Sequence, residues 1–310
     1  MLATALHLAL HLALLLGLPL LVVGVIQKTK ALVAGRQGDP LLQPFFDVWK
    51  LLGKGAVYSR TTTWLFRAGP IVALSSALAA GLLVPLHSTR APLAFDGDVI
   101  AFAYLLALGR FFTMTAALDT GSAFEGMGAS REAAFAALAE PALFLALAIV
   151  CIPARSASFA AAWGVLPWGQ WLSTHPELFA AALVLLAVLL TENSRIPVDD
   201  PTTHLELTMI HEVMVLDHGG PDFAFVLYGA AMKLLLGASL LVHLIVPIPA
   251  AGGWRGALIF GAGVLGVAIV VGLIEAMMAR LRLGRVPQFL VGASVLGAIG
   301  LLVALIGGRR

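Results

Sequence analysis

The chain has 310 residues, 60% of them hydrophobic and only 12% charged, with a mean hydropathy of +0.97 and a formal net charge of +2. Soluble domains carry about 45–50% apolar and about 25% charged residues. This composition therefore excludes a water-soluble globule, a disordered chain, a nucleic-acid-binding domain and a secreted disulfide scaffold. Cys151 is the only cysteine. It can neither close an internal disulfide nor supply the four thiolates an iron–sulfur cluster needs, so no redox cofactor is expected in this chain.

Eight bilayer-spanning helices of about 20 residues would occupy roughly 160 positions. Eight apolar stretches are visible in chain order, roughly Leu2–Ile26, Leu65–Leu86, Val99–Leu118, Ala133–Ile152, Leu178–Leu190, Phe223–Val246, Ala257–Met277 and Pro287–Ile306. The fifth is short and is expected to extend toward Asn193. The first meets Gln27-Lys28-Thr29-Lys30 where a signal peptide would carry a small-residue cleavage site, so it reads as a retained helix. No repeat of 20–50 residues is visible. The expectation is an all-α integral membrane protein with about eight transmembrane helices, forming one polytopic domain over residues 1–310.

Basic residues set the orientation. The loops after the first, third, fifth and seventh stretches hold Lys28, Lys30, Arg36, Lys50, Lys54, Arg60, Arg67, Arg131, Arg195, Arg280, Arg282 and Arg285, twelve of the nineteen Lys and Arg. The opposite loops hold Arg90, Arg155 and Arg255. By the positive-inside rule the first set is cytoplasmic and both termini face outward. The first cytoplasmic loop contains Pro40–Gly53, where Leu41, Leu42, Phe45, Trp49 and Leu52 recur at helical spacing and Asp47, Lys50 and Lys54 fall elsewhere. It is too short to span and suits an amphipathic helix in the membrane interface, as a plain anchor or as a docking element.

The loop between the fifth and sixth stretches is acidic. Glu192, Asp199, Asp200, Glu206, Glu212, Asp217 and Asp222 face one arginine, Arg195. Like charges crowded into a poorly solvated cavity hold protons to higher pH, which would suit proton transfer; a solvated acidic loop is the plainer reading. Asp200-Pro201-Thr202 resembles a helix start, with His204, Glu206 and His211 following. His211-Glu212 begins like a zinc-protease motif, but Val215 stands where the second histidine belongs, so no metal site is expected. Charges inside the spans are costly, about 2.5–3.5 kcal/mol each on insertion scales, and mark functional sites by default. Arg110, Glu140 and Lys233 are of this kind. Arg110 could snorkel, Glu140 and Lys233 could form a buried structural pair, and Glu275 could pair with Arg280.

The string Glu192-Asn-Ser-Arg-Ile-Pro-Val-Asp199, followed by Glu206-Leu207, resembles the signature of the NADH-quinone oxidoreductase subunit 1 family of respiratory complex I. Leu42-Gln-Pro44, Asp47 and Lys50-Leu51 resemble that family's segment after its first helix. Complex I members carry an insertion before this segment, whereas here Arg36-Gln-Gly-Asp-Pro40 runs straight into it. The blocks Asp119–Glu132, Asp199–Glu212 and Ala279–Gln288 look like the membrane anchor of group 4 nickel–iron hydrogenases, of the formate hydrogenlyase and hydrogenase-4 kind. The resemblance implies a non-catalytic subunit of an oxidoreductase complex in a bacterial or archaeal cytoplasmic membrane. It implies partners: hydrogenase large and small subunits, a ferredoxin-like iron–sulfur subunit and antiporter-like membrane subunits. Nickel–iron and iron–sulfur centres are then expected in those partners. The implied proton-path residues are Arg110, Glu140, Glu192, Arg195, Asp199, Asp200, Glu206, Glu212 and Lys233. Arg36, Asp47, Lys50, Arg131, Arg282 and Arg285 are implied for docking the peripheral arm. Two alternatives stand beside this: a quinone-chamber subunit of a complex I-type enzyme, and a free-standing secondary transporter, against which the lack of inverted repeats counts.

Overall fold

The computed structural model describes residues 2–166, 175–199 and 210–307. Its helices are α1 (Leu2–Val33), α2 (Gln43–Leu52), α3 (Trp64–Leu83), α4 (Asp98–Asp119), α5 (Ala123–Cys151), α6 (Phe159–Val165), α7 (Pro176–Glu192), α8 (Gly220–Ile245), α9 (Gly253–Met277) and α10 (Val286–Gly307). No strand occurs among the described residues. Seven of these are long and apolar enough to cross a bilayer. The eighth span, α7, has 17 residues, at the short end of what a hydrocarbon core requires. Asp200, His204 and Glu206, with the helix start expected at Asp200, lie outside the described residues.

The hydropathy pattern finds the spans but misplaces some ends. α5 begins at Ala123, ten residues before the expected start at Ala133, which puts Arg131 and Glu132 on a helix and not in a loop. Charges end an apolar run without ending a helix: Ala123, Ala129, Ala133 and Ala134 keep helical propensity high through this stretch. α1 likewise continues to Val33, so Lys28 and Lys30 ride on its last turns.

α8 lies at the centre, packed on α3, α1, α2, α7 and α9, and is the most buried of the candidate spans. Around it α3 pairs with α4, α1 with α9, and α10 with both α5 and α7. One apolar core joins α1, α3, α5, α7, α8, α9 and α10. Large apolar side chains such as Leu258, Ile299, Leu302 and Ile306 are exposed on the outer helices. In water this would be a fault; in a bilayer it is the lipid-facing surface.

The interfacial helix α2 is present, but its packed side differs from the expected stripe. Pro44 is buried and Phe45, Val48 and Leu51 are partly buried, while Trp49 is 79% exposed and Phe46 62%. An interfacial helix has two apolar neighbours, the bundle and the lipid, and here the bulkier aromatics face away from the bundle. Close approach elsewhere relies on missing side chains. A Cβ on Gly256, in the first turn of α9, would run into the backbone carbonyl of His87. Because a carbonyl cannot swing aside, Gly256→Ala should shift α9 and cost about 1–3 kcal/mol, read as a lower thermal midpoint of the purified protein. An unchanged midpoint would show that the contact can relax.

Candidate functional site

Arg110 sits in the interior of α4 and does not snorkel. Its side chain is 6% exposed and is held by three carboxylates from two other helices. Nη1 donates to Glu140 Oε1 at 2.7 Å, and Nη2 donates to both carboxylate oxygens of Glu192 at 2.6 Å. Nε lies 3.4 Å from Glu132 Oε1. The charge-assisted bonds at 2.6–2.7 Å are of the strong kind, whereas the Nε contact is an ion pair without a hydrogen bond; the planar five-donor fork of arginine suits several carboxylates at once. Lys233 on α8 adds a fourth helix, its Nζ donating to the Glu192 carbonyl oxygen at 3.5 Å. Glu140 and Lys233 therefore do not form a simple pair; both belong to one cluster, through Arg110 and Glu192. Two cations face three carboxylates, so the cluster becomes neutral when one carboxyl holds a proton.

Two small cavities lie on either side of Glu192. The larger, about 70 Å³, is walled by Phe102, Phe144, Leu185 and Leu240 and floored by Arg110, Glu140, Glu192 and Lys233. The smaller, about 10 Å³, lies between Glu132, Glu192, Ser194 and His211. A water needs about 10–15 Å³ measured this way, so the first has room for several waters and the second for about one. Pro141 follows Glu140 and deprives the Ala137 carbonyl of its helical donor, adding a polar backbone oxygen one turn away.

The end of α7 aims the signature residues. Ser194 takes a left-handed conformation at φ 51°, its N–H donating to the Thr191 carbonyl and the Arg195 N–H to the Leu190 carbonyl. These are the two bonds of a Schellman motif, with serine in the place usually taken by glycine. The chain thus leaves the helix axis at Arg195. Arg195 does not reach the Arg110 cluster: its Nη1 lies 3.3 Å from Glu275 Oε1, while Lys30 Nζ lies 2.9 Å from the other oxygen of that fully buried carboxylate. Arg280 pairs with Asp199 at 2.8 Å, not with Glu275, because α9 ends at Met277 and the next residues are not helical. Asp199 Oδ2 also accepts from the Ile210 N–H at 3.1 Å, closing the base of the acidic loop. These pairs join α1, α7 and α9 on the loop side.

After Ile210 the chain lies on α5 because Gly128 leaves room: a Cβ there would meet the Ile210 carbonyl and Val213. His211 Nδ1 comes within 3.4 Å of Glu132 Oε2. Burial above all, then the Lys233 and Arg110 cations, holds the His211 pKa below its ordinary 6.5 despite the opposing pull of Asp199 and Glu192. Glu212 opens a short 3₁₀ turn, Glu212–Val215. Of the expected docking residues, Arg36, Asp47, Lys50, Arg282 and Arg285 are exposed and Arg131 is partly buried. Gln43 Nε2 donates to Asp47 Oδ1 at 2.8 Å.

Glu132, His211, Glu275 and Lys30 are site residues that the charge pattern alone did not assign. For Glu132 a signal existed. It shares a helical face with Glu125, seven residues earlier, once the helix is extended back through the alanines. Among the described residues no group of three or more His, Cys, Asp or Glu side chains is placed to hold a metal ion.

The fold and the site together define a polytopic membrane protein with a buried charge cluster, richer in carboxylates than in cations, joined to an acidic loop. The particular family follows from comparison with known proteins. The NADH dehydrogenase family model matches residues 6–306, and the chain belongs to this family. Formate hydrogenlyase subunit 4 of Escherichia coli K12 is 30% identical over 92% of this chain and 94% of its own length. Hydrogenase-4 component C of the same organism is 34% identical over 75% of this chain and 72% of its own. A subunit of the NADH-quinone oxidoreductase of Anaplasma phagocytophilum is 26% identical over 77% of this chain and 76% of its own. In fold, the chain matches one from the membrane-bound sulfane sulfur reductase, an archaeal respiratory membrane complex, with a TM-score of 0.83 at 21% identity over 98% of this chain and 100% of that one. The protein is thus a multi-pass membrane subunit of a respiratory-type complex.

Removing the Arg110 charge strands buried carboxylates, and losing one partner of such a pair costs about 3–5 kcal/mol. Arg110→Met should therefore sharply lower the unfolding midpoint, and adding Glu192→Gln should recover part of the loss. Additive effects in that double-mutant cycle would mean the two groups do not interact. The His211 shift sets a pH dependence. A ring whose pKa is lower folded than unfolded docks fully above about pH 6.5 and loses docking as pH falls. Amides of residues 210–215 should thus exchange faster below that pH, after correction for intrinsic rates, and His211→Gln should remove the dependence.

Proposed function

We propose that this chain is the membrane anchor and proton-coupling subunit of a membrane-bound nickel–iron hydrogenase complex of the formate hydrogenlyase kind. The anchor role is supported by its relatives formate hydrogenlyase subunit 4 and hydrogenase-4 component C. In this reading a peripheral arm of large, small and ferredoxin-like subunits docks on the basic side of the chain, over Arg36, Lys50, Arg282 and Arg285. Antiporter-like subunits adjoin it in the membrane. One cysteine leaves the redox centres to those partners.

The coupling role rests on one observation: the cluster of Arg110, Glu132, Glu140, Glu192 and Lys233, shielded except at Glu140, whose side chain is 42% exposed, with a water-sized cavity toward His211 on one side and a larger one within the membrane on the other. A proton taken up from the loop side can pass from His211 to Glu132, be held by the carboxylates around Arg110, and leave along Glu140. A charge change in the docked arm shifts the acidic loop, and through His211 shifts the field at Glu132. A quinone chamber fits less well. The cavity at this cluster, about 70 Å³, is far below the ~300 Å³ at which small-molecule sites begin.

Purification from membranes should recover a nickel-containing large subunit with this chain; a complex that assembles without nickel would rule out the hydrogenase assignment. Within the complex, Glu140→Gln and Glu206→Gln should each slow hydrogen-linked proton movement severalfold while assembly persists. Normal coupling in both would remove the proton role. Charge reversal at Arg36 and Lys50 should reduce retention of the peripheral subunits, and unchanged co-purification would reduce those residues to topology markers.

A further inference from the structure

Four of the eight histidines gather at the end of the bundle opposite the acidic loop. α1 and α9 begin at this end and α3 and α8 finish there, so the proposed topology places it on the outer side. His7 and His11 stand one helical turn apart on α1, and His87 follows the end of α3. The His7 and His87 ring centroids are 4.4 Å apart and those of His11 and His87 are 6.2 Å apart. His243, near the end of α8, connects through the next residue, its Nε2 lying 3.3 Å from the Ser88 carbonyl oxygen.

The hydrogen bonds fix how these rings are protonated. Ser88 Oγ donates its one proton to the Arg90 carbonyl, so the His7 Nε2 at 3.1 Å must be the donor to Ser88. His11 Nε2 faces the Gly81 carbonyl at 3.0 Å and must also donate, leaving its buried Nδ1 a lone pair with no partner among the described residues. His243 meets carbonyl oxygens at both nitrogens, Ser239 at 2.9 Å and Ser88 at 3.3 Å. A neutral ring can satisfy only one of them; an imidazolium satisfies both. His87 is the extreme case. It is fully buried, and neither ring nitrogen has a partner among the described residues, although buried polar atoms are bonded in the large majority of cases.

The surroundings offer little charge. α8 contributes Ser239, α9 contributes Gly256 and Phe260, the segment before it contributes Gly252, and α6 contributes the Trp163 indole. Arg90 touches Ser88 through its backbone, and the exposed Arg255 lies over Trp254. No carboxylate appears among the ring contacts and hydrogen bonds of these four histidines in the described residues. Packing alone would be served by Phe or Leu at His87, with no bare nitrogens. Burial, and after it the charge of His7, pushes His87 down to about 4, so it is neutral near pH 7 and holds a proton only in passing.

We propose that the histidines His7, His11, His87 and His243 form a proton-exchange site open to the outer aqueous phase, and that it is the outward end of the ion path through this subunit. An incoming proton binds the lone-pair nitrogen of the His87 ring, and the proton on the opposite nitrogen leaves to a neighbouring ring, so one proton enters and one departs. His7 is half-buried near the start of α1; His243 lies ten residues, about 15 Å along α8, from Lys233. The outward-end assignment rests on the coupling role proposed above, whereas the exchange site itself does not.

The test uses the whole complex in sealed liposomes, comparing wild type, His87→Gln and His7→Gln, the second at a position less exposed to folding defects. Proton movement per hydrogen formed is measured together with hydrogen formation itself. Both variants should lower protons moved per hydrogen at least fivefold with hydrogen formation within twofold of wild type. Wild-type stoichiometry in both variants overturns the outward-end assignment and leaves the coupling role standing. Independently, the His87 ring signals in 15N-histidine-labelled complex should follow the outer pH and not the inner, and His7→Gln should move their midpoint upward. A His87 ring that ignores the outer pH overturns the exchange site, whether or not the wild-type complex moves protons. A wild type that moves none, with His87 still following the outer pH, removes the coupling role and the outward-end assignment and supports the exchange site alone.

Discussion

A guanidinium buried in the bilayer region can persist only if its charge is met there, and the arrangement of this protein follows from how Arg110 is met. Three carboxylates from α5 and α7 converge on it, and Lys233 of α8 closes the group. That requirement fixes how α4, α5 and α7 rotate about their own axes, since each must turn its acid or base inward at the same depth.

The cluster is one of three polar layers stacked along the bundle. The layer nearest the loop is stapled by Lys30, Arg195 and Glu275 and by Arg280 and Asp199, pairs that hold α1, α7 and α9 in register. The middle layer, around Arg110, carries one more carboxylate than it has cations. The far layer is made of imidazoles with unspent donors and acceptors. Structural salt bridges, a charge-imbalanced cluster and a histidine group have different chemistry, and α8 links the second to the third through Lys233 and His243. Formate hydrogenlyase subunit 4 and the matching component of NADH-quinone oxidoreductase are relatives of the chain that arranges its charges in this way.

The spans were legible because hydropathy is a property of each segment by itself. Eight apolar stretches became eight long helices, and the amphipathic segment after the first became α2. The start of α5 was not legible: Arg131 and Glu132 end an apolar run, and hydropathy does not register that the helix continues through them. The partners of Arg110 were hidden for a related reason, since Glu140 and Glu192 lie 30 and 82 positions away. Sequence spacing could mark each as a costly charge but could not say which charges share a depth. The pairing of Glu275 depended on where α9 stopped, a difference of a few residues. The histidine group drew on α1, the segment after α3 and α8 at once, so no single stretch of chain displayed it.

Arg110 also constrains how the protein is made. When α4 first enters the membrane during synthesis, Glu132, Glu140 and Glu192 have not yet reached it. For that interval α4 carries an unmet cation, at about 2.5–3.5 kcal/mol on insertion scales, and its remaining apolar residues must outweigh it. Relief comes first from α5 and is completed only when α7 arrives some eighty residues later. The helices from α4 to α7 are therefore coupled in their insertion: α4 reaches its full stability in the membrane only once its acids follow. The same ion network that serves the finished subunit thus orders its birth, and a truncation after α4 would leave a helix the membrane holds only weakly.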